Sequence, residues 1–266
     1  MRVAAVVAAL CAVPGVGSAT AQDAAAPERP PYLRRVYDVE TEREVVGGAA
    51  DHDHDHEHEH GHDPGGAGGA GADAGRDAPA GPERSTERVE VTLGPDVVEI
   101  RRGGRRVLLD RAAGRELVID DAAGTYRSLP LVQRVGFLHV ELENRARMRA
   151  ALAAANVSDP SLAPHELSIL FGWRADGDTS EATTTECSDG STIFSLDGVE
   201  TARWRVTAPA PTAAQRSALR RFLHRELHLH PEARRRLADA DGVPALVRAR
   251  SRNVGRVETA TWTLVG

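Results

Sequence analysis

Val97-Val98-Glu99-Ile100-Arg101-Arg102-Gly103-Gly104-Arg105-Arg106-Val107-Leu108-Leu109-Asp110 decides the fold. Two short apolar runs flank Gly103-Gly104, the dipeptide of a tight two-residue turn, so the stretch predicts a β-hairpin. The pattern repeats downstream. Ala112-Ala113-Gly114 turns into Glu116–Asp120, and Asp121–Gly124 turns into Thr125–Leu129. Upstream, Val89, Val91 and Leu93 alternate with polar residues before the turn Gly94-Pro95-Asp96. Turn signals at about every ten residues predict an antiparallel meander.

Farther out the period changes. Leu131, Val135, Leu138, Leu142 and Ala146 fall at helical spacing after Pro130, so a helix is expected to about Ala155, with a second, shorter one starting near Pro164. Strand character returns at Thr183–Ser188, Thr192–Leu196 and Thr201–Thr207, with turns at Asp189-Gly190 and Asp197-Gly198. Thr212 then caps a helix whose apolar face is Leu219, Phe222, Leu223 and Leu227, and Pro231 starts a short basic helix. Leu246–Arg252 and Val257–Val265 close the chain as a hairpin around Asn253-Val254-Gly255. Before all of these, Leu33, Arg35, Tyr37, Val39, Thr41 and Arg43 alternate with more polar residues as one strand. Runs of strands and helices, rather than strict alternation, predict an α+β fold with a largely antiparallel sheet.

Val97–Arg101 with Leu108–Asp110, Glu116–Asp120 and Thr125–Leu129 resemble the repeating hairpins of LolA-like half-barrel periplasmic proteins. The ending Gly242-Val243-Pro244-Ala245-Leu246-Val247, with a closing strand that carries Trp262, is similar to the last hairpin of that group. The resemblance implies a curved antiparallel sheet with helices on its concave face. It also implies carriage of a lipid or lipidated partner. It reaches about two-thirds of the mature chain and is one of strands and turns, so it bears more on fold than on function.

The N-terminus reads as a signal peptide over residues 1–21: Arg2, an apolar run from Val3 to about Val16, and the cleavage pattern Ala19-Thr20-Ala21. The expected product is periplasmic or secreted, with polar disordered residues at 22–32, one domain over 33–266, and no membrane-spanning segment. Cleavage would leave Cys187 as the one cysteine, which forms no internal disulfide and reads as a small half-buried strand residue. Formal net charge is −6, but it is unevenly spread. Residues 22–84 carry net −9 and residues 85–266 net +2. A near-neutral body poor in aromatics does not fit a nucleic-acid binder. All 33 basic residues are Arg, so mechanisms built on a Schiff-base, P-loop or Ser-x-x-Lys lysine are closed.

Residues 47–84 read as a flexible, low-complexity insertion. Within it Asp51, His52, Asp53, His54, Asp55, His56, Glu57, His58, Glu59, His60, Gly61, His62 and Asp63 hold six of the eleven histidines. Imidazole with flanking carboxylate suits zinc, and also nickel or copper. Same-side neighbours on an extended segment sit about 6.5–7 Å apart, so ligation requires the segment to fold back. Overlapping sites are expected, not a catalytic centre with one fixed open position.

Other constellations are weaker. His224 and His228 are four apart, but Glu226 is misplaced for the His-Glu-x-x-His arrangement, and a partly exposed helix edge is the simpler reading. Arg234-Arg235-Arg236 reads as a solvated helix face. No nucleophile elbow or phosphate loop occurs, and nothing ties a Ser, His and Asp together locally. The expectation is a non-enzymatic binding protein for an apolar ligand or lipidated partner. The alternative is a divalent-metal buffer or chaperone acting through the His-rich insertion.

Overall fold

The computed structural model describes residues 32–46 and 81–266. It contains eleven strands: β1 (Leu33–Val45), β2 (Glu83–Leu93), β3 (Val97–Arg102), β4 (Arg105–Asp110), β5 (Arg115–Asp120), β6 (Thr125–Pro130), β7 (Ala182–Glu186), β8 (Thr192–Leu196), β9 (Val199–Thr207), β10 (Val243–Asn253) and β11 (Arg256–Leu264). Four α-helices interrupt them: α1 (Leu131–Ala154) and α2 (Pro164–Phe171) before β7, and α3 (Ala213–Glu226) and α4 (Pro231–Asp239) before β10.

All strands join one curved, unclosed antiparallel sheet in the order β6-β5-β4-β3-β2-β1-β11-β10-β9-β8-β7. It is two meanders fused where β1 pairs β11, with Val39 opposite Trp262 and Tyr37 opposite Leu264. The expected α+β class and antiparallel sheet are therefore present. β2 begins at Glu83, two residues inside the stretch read as insertion, because Glu83 and Arg84 pair with Arg43 and Glu42 of β1.

The alternation of β1 explains the layering. Leu33, Tyr37 and Val39 are buried, and so are Val89, Val91 and Leu93 on β2 and Val98 and Ile100 on β3. These residues share the face that meets α3, whose Ala218, Leu219, Phe222 and Leu223 are all at most 2% exposed. Tyr37, Phe222 and Trp262 pack ring to ring at 5.4–6.3 Å, and the Tyr37 hydroxyl donates to the Pro244 carbonyl at 3.1 Å. The buried phenol thus keeps its polar atom satisfied. Its pKa is raised by that burial.

The opposite face carries cross-strand ion pairs: Arg34–Glu90 at 2.6 Å, Asp38–Arg88 at 3.0 Å and Glu42–Arg84 at 2.9 Å. Exposed pairs contribute little stability, but opposite charges in register disfavour a slip of β1 against β2.

A second, smaller core of Leu142, Leu162, Leu167, Phe171 and Ala175 joins the C-terminal half of α1 to α2. The N-terminal half of α1 is held more lightly, by the partly buried Leu131 and Leu138. Leu142 is the one buried residue of its 24, and Val132, Phe137, Val140 and Met148 are exposed. The helical period of Leu131, Val135, Leu138 and Leu142 is correct: Leu131 packs against the main core, Leu138 and Leu142 belong to the smaller one, and Val135 is exposed. No helix among the described residues is long and apolar enough to cross a membrane.

Candidate functional site: a cleft between sheet and helices

The N-terminal half of α1 borders a cleft of about 550 Å³. Such a volume falls in the range of about 300–1,000 Å³ typical of small-molecule sites. β4 and β5 supply Leu109 and Glu116; α1 supplies Leu131, Arg134, Val135 and Leu138. The third wall is α3 with Arg220, Arg221, His224 and Arg225, and the fourth is α4 with Pro231, Arg234, Arg235 and Asp239.

Strand parity places Glu116 there. It lies opposite Leu109 in the β4–β5 register, so it shares the concave face despite its charge. It is 3% exposed and receives Arg134 at 2.7 Å and Arg225 at 3.2 Å. A buried carboxylate needs such partners. The pairing extends into a chain of alternating charge. Arg225 also meets Glu226 at 3.4 Å, Glu226 meets Arg102, and Arg102 meets Glu87 at 3.0 Å. Arg102 in turn lies over the Trp262 ring, 5.5 Å from its centroid. These ions tie α1 and α3 to the sheet, and Glu116, Arg134 and Arg225 among them line the cleft.

His224 stands on the α3 wall, 5.2 Å from the Trp173 ring. Burial, then the nearby Arg234 and Arg134, lower its pKa to about 4, so it is neutral at pH 7. Its Nε2 atom is buried and without a hydrogen-bond partner. Gly172 ends α2 in the left-handed region at φ +70°. A Cβ there would lie 2.2 Å from Arg234 Nη1 and 3.1 Å from His224 Cδ2, so glycine is required by both conformation and packing.

The basic run at 234–236 is corrected by the structure. Arg235 is exposed, Arg236 is half-buried, and both pair with Glu232 at 2.6 and 2.9 Å. Arg234 instead turns inward and donates to the Gly172 carbonyl at 2.6 Å. The i, i+3 and i+4 geometry of α4 gives Glu232 to the other two arginines and leaves Arg234 without it.

His224 and His228 do not converge on an ion: His228 is exposed, and its Nδ1 donates to the Leu170 carbonyl at 3.1 Å. No group of three or more His, Cys, Asp or Glu suited to a metal occurs among the described residues. Asp51, His52, Asp53, His54, Asp55, His56, Glu57, His58, Glu59, His60, His62 and Asp63 lie outside the described residues, as does the signal segment 1–21. Cys187 is free and half-buried beyond the end of β7.

A Ser, an Asp and a His do meet in the interior, unforeseen from the sequence. Ser168 donates to Asp178 Oδ2 at 2.5 Å, and His230 Nε2 donates to the same oxygen at 3.1 Å. His230 Nδ1 accepts the Glu232 backbone N–H at 3.3 Å, capping α4. Asp178 sits between the other two, so the imidazole is not placed to take the serine proton, and Ser168 is fully buried. The trio links α2, the segment after it and α4.

Glu116, Arg134 and Arg225 had one sequence signal, the parity of β5, which sets Glu116 and Val118 on the face of Leu109 and Val107. No protein-family model matches the chain, and no characterised protein is significantly similar to it in sequence.

Proposed function

We propose that the protein is a non-enzymatic binding protein of the periplasm or exterior that carries or senses an apolar ligand, or the acyl part of a lipidated partner, in this cleft. The observation that carries the reading is a cleft of 550 Å³ walled by Leu109, Leu131, Val135 and Leu138 and covered by a helix that buries little of itself elsewhere. A LolA-like relationship belongs to the same proposal, supported by the open antiparallel sheet with helices against one face. Native mass spectrometry of protein from its own host is expected to show a co-purified apolar molecule. Leu138→Asp, which puts a charge on the wall, is expected to abolish uptake of a hydrophobic dye with the fold retained. Protein that arrives empty and takes up no dye would overturn the reading.

A second activity is proposed for the histidine tract: capture of zinc, or of nickel or copper. The imidazole and carboxylate composition of residues 51–63 supports this. Arg43 of β1 and Glu83 of β2 are direct partners, so removal of residues 51–63 is expected to leave the strand register intact. Acid residues give the tract charge −6 while its imidazoles are neutral, and protonation at about pH 6.5 opposes ligation. Calorimetry is expected to show zinc uptake at pH 7.5, release at pH 5.5, and loss of uptake on deletion. Unchanged stoichiometry in the deletion would refute a role for the tract.

A further inference from the structure

The charges lining the cleft divide into pairs and a remainder. Glu116 serves Arg134 and Arg225, Asp239 serves Arg220 at 2.5 Å, and Glu232 serves Arg235. Arg221 and Arg234 reach uncharged oxygens instead. Arg221 donates to the Pro95 carbonyl at 3.1 Å and the Ser217 hydroxyl at 3.3 Å. Arg234 reaches the Gly172 carbonyl, and its Nη1 is buried without a partner. Burial lowers the pKa of both guanidiniums. A cation withdrawn from water needs a counter-charge, and none among the described side chains forms an ion pair with either group. His224 beside Arg234 is neutral, so it neither adds to nor offsets the excess.

We propose that the cleft takes a single-chain anionic amphiphile, its acyl chain along Leu109, Leu131, Val135 and Leu138 and its carboxylate or phosphate head the counter-ion of Arg234. This rests on the reading of the cleft as a ligand site and narrows its ligand. Charge complementarity selects the occupant. A neutral lipid leaves Arg234 uncompensated, and a small anion leaves the hydrocarbon wall wet. Either head group would take charge-assisted hydrogen bonds from guanidinium N–H groups other than the one held by the Gly172 carbonyl.

Calorimetry on the full chain at low salt, with dodecanoate, dodecanol and acetate as probes, tests the proposal. Dodecanoate is expected to bind about tenfold more tightly than dodecanol, as for a charge-assisted hydrogen bond. Arg234→Gln is expected to remove that preference. Added sodium chloride should weaken dodecanoate alone, a readout that needs no variant. Equal affinity for the two amphiphiles, competition by acetate at dodecanoate concentrations, or a preference that survives in folded Arg234→Gln overturns the head-group assignment and leaves the cleft as an apolar site. Binding of neither amphiphile overturns both.

Discussion

Helices α1 and α3 both accompany the same sheet, and they hold to the protein in opposite ways. α3 has five buried residues in fourteen and a capping box at its start. α1 has one in twenty-four, no side-chain cap at Pro130, no acidic residue in its first turn and no basic residue in its last. Burial of an apolar face is the main stabiliser of a helix in a protein, and caps and end charges add to it. α3 is thus part of the core, whereas the first half of α1 is a cover over a space. Entry of the proposed ligand into that space would require such low local stability.

The largest effect separating the two is in side-chain truncation. Phe222→Ala removes a ring packed between Tyr37 and Trp262 and is expected to cost about 3–5 kcal/mol. Phe137→Ala removes a ring that is 68% exposed and is expected to change stability by at most about 0.5 kcal/mol. Urea denaturation of the two variants measures the contrast. Similar losses would mean that α1 is packed in solution and that the cleft is closed.

Acid sharpens the same contrast on the α3–α4 side. His224 has its pKa lowered to about 4 by burial, then by Arg234 and Arg134. His230 is lowered too, chiefly by burial, although its bond to Asp178 opposes that. Both accept a proton more readily when unfolded, with an ordinary value near 6.5. Their contribution to stability is therefore complete above about pH 6.5 and declines as pH falls toward about 4. Asp178, whose pKa is lowered by bonds from Ser168, Ser180 and His230 against the opposing and largest effect of burial, adds a loss below the ordinary carboxylate range. The urea midpoint is expected to fall between pH 7.5 and pH 5, and His224→Gln to reduce the fall. A midpoint independent of pH over that interval would show that these imidazoles are not held neutral by the fold.

The sheet was legible in the sequence because turn chemistry and period two act locally. Gly103-Gly104 sets the β3–β4 hairpin, and Thr192–Leu196 is β8 at the bounds read from the residues. Thr212 was legible as a cap for the same reason. The cleft was not. Helical period identifies Leu131, Val135 and Leu138 as one face, but it carries no information on whether another surface fills the space beside them. Arg234 was read as solvated with its two neighbours because a run of like residues hides which one the helix turns inward. Glu116 needed the register of β5 as well as its position in the strand. The metal chemistry of residues 51–63 stands on composition, since that tract lies outside the described residues.

The smallest effect tests whether the end of α3 is as firm as its middle. Thr212 Oγ1 accepts the Gln215 N–H at 3.3 Å, and Gln215 Oε1 accepts the Thr212 N–H at 2.9 Å, so two otherwise orphan donors are satisfied reciprocally. Thr212→Ala removes one of these bonds and is expected to cost about 1 kcal/mol. The loss should appear in global unfolding, because Gln215, Ala218 and Leu219 directly after the cap are already buried in the core. Amide exchange over residues 213–218 should therefore stay slow in the variant. Exchange that is fast there, with no change in the urea midpoint, would mean that the first turn of α3 frays freely. The difference from α1 would then rest on the burial of Leu219, Phe222 and Leu223 alone, and the cap would be irrelevant to which helix can move.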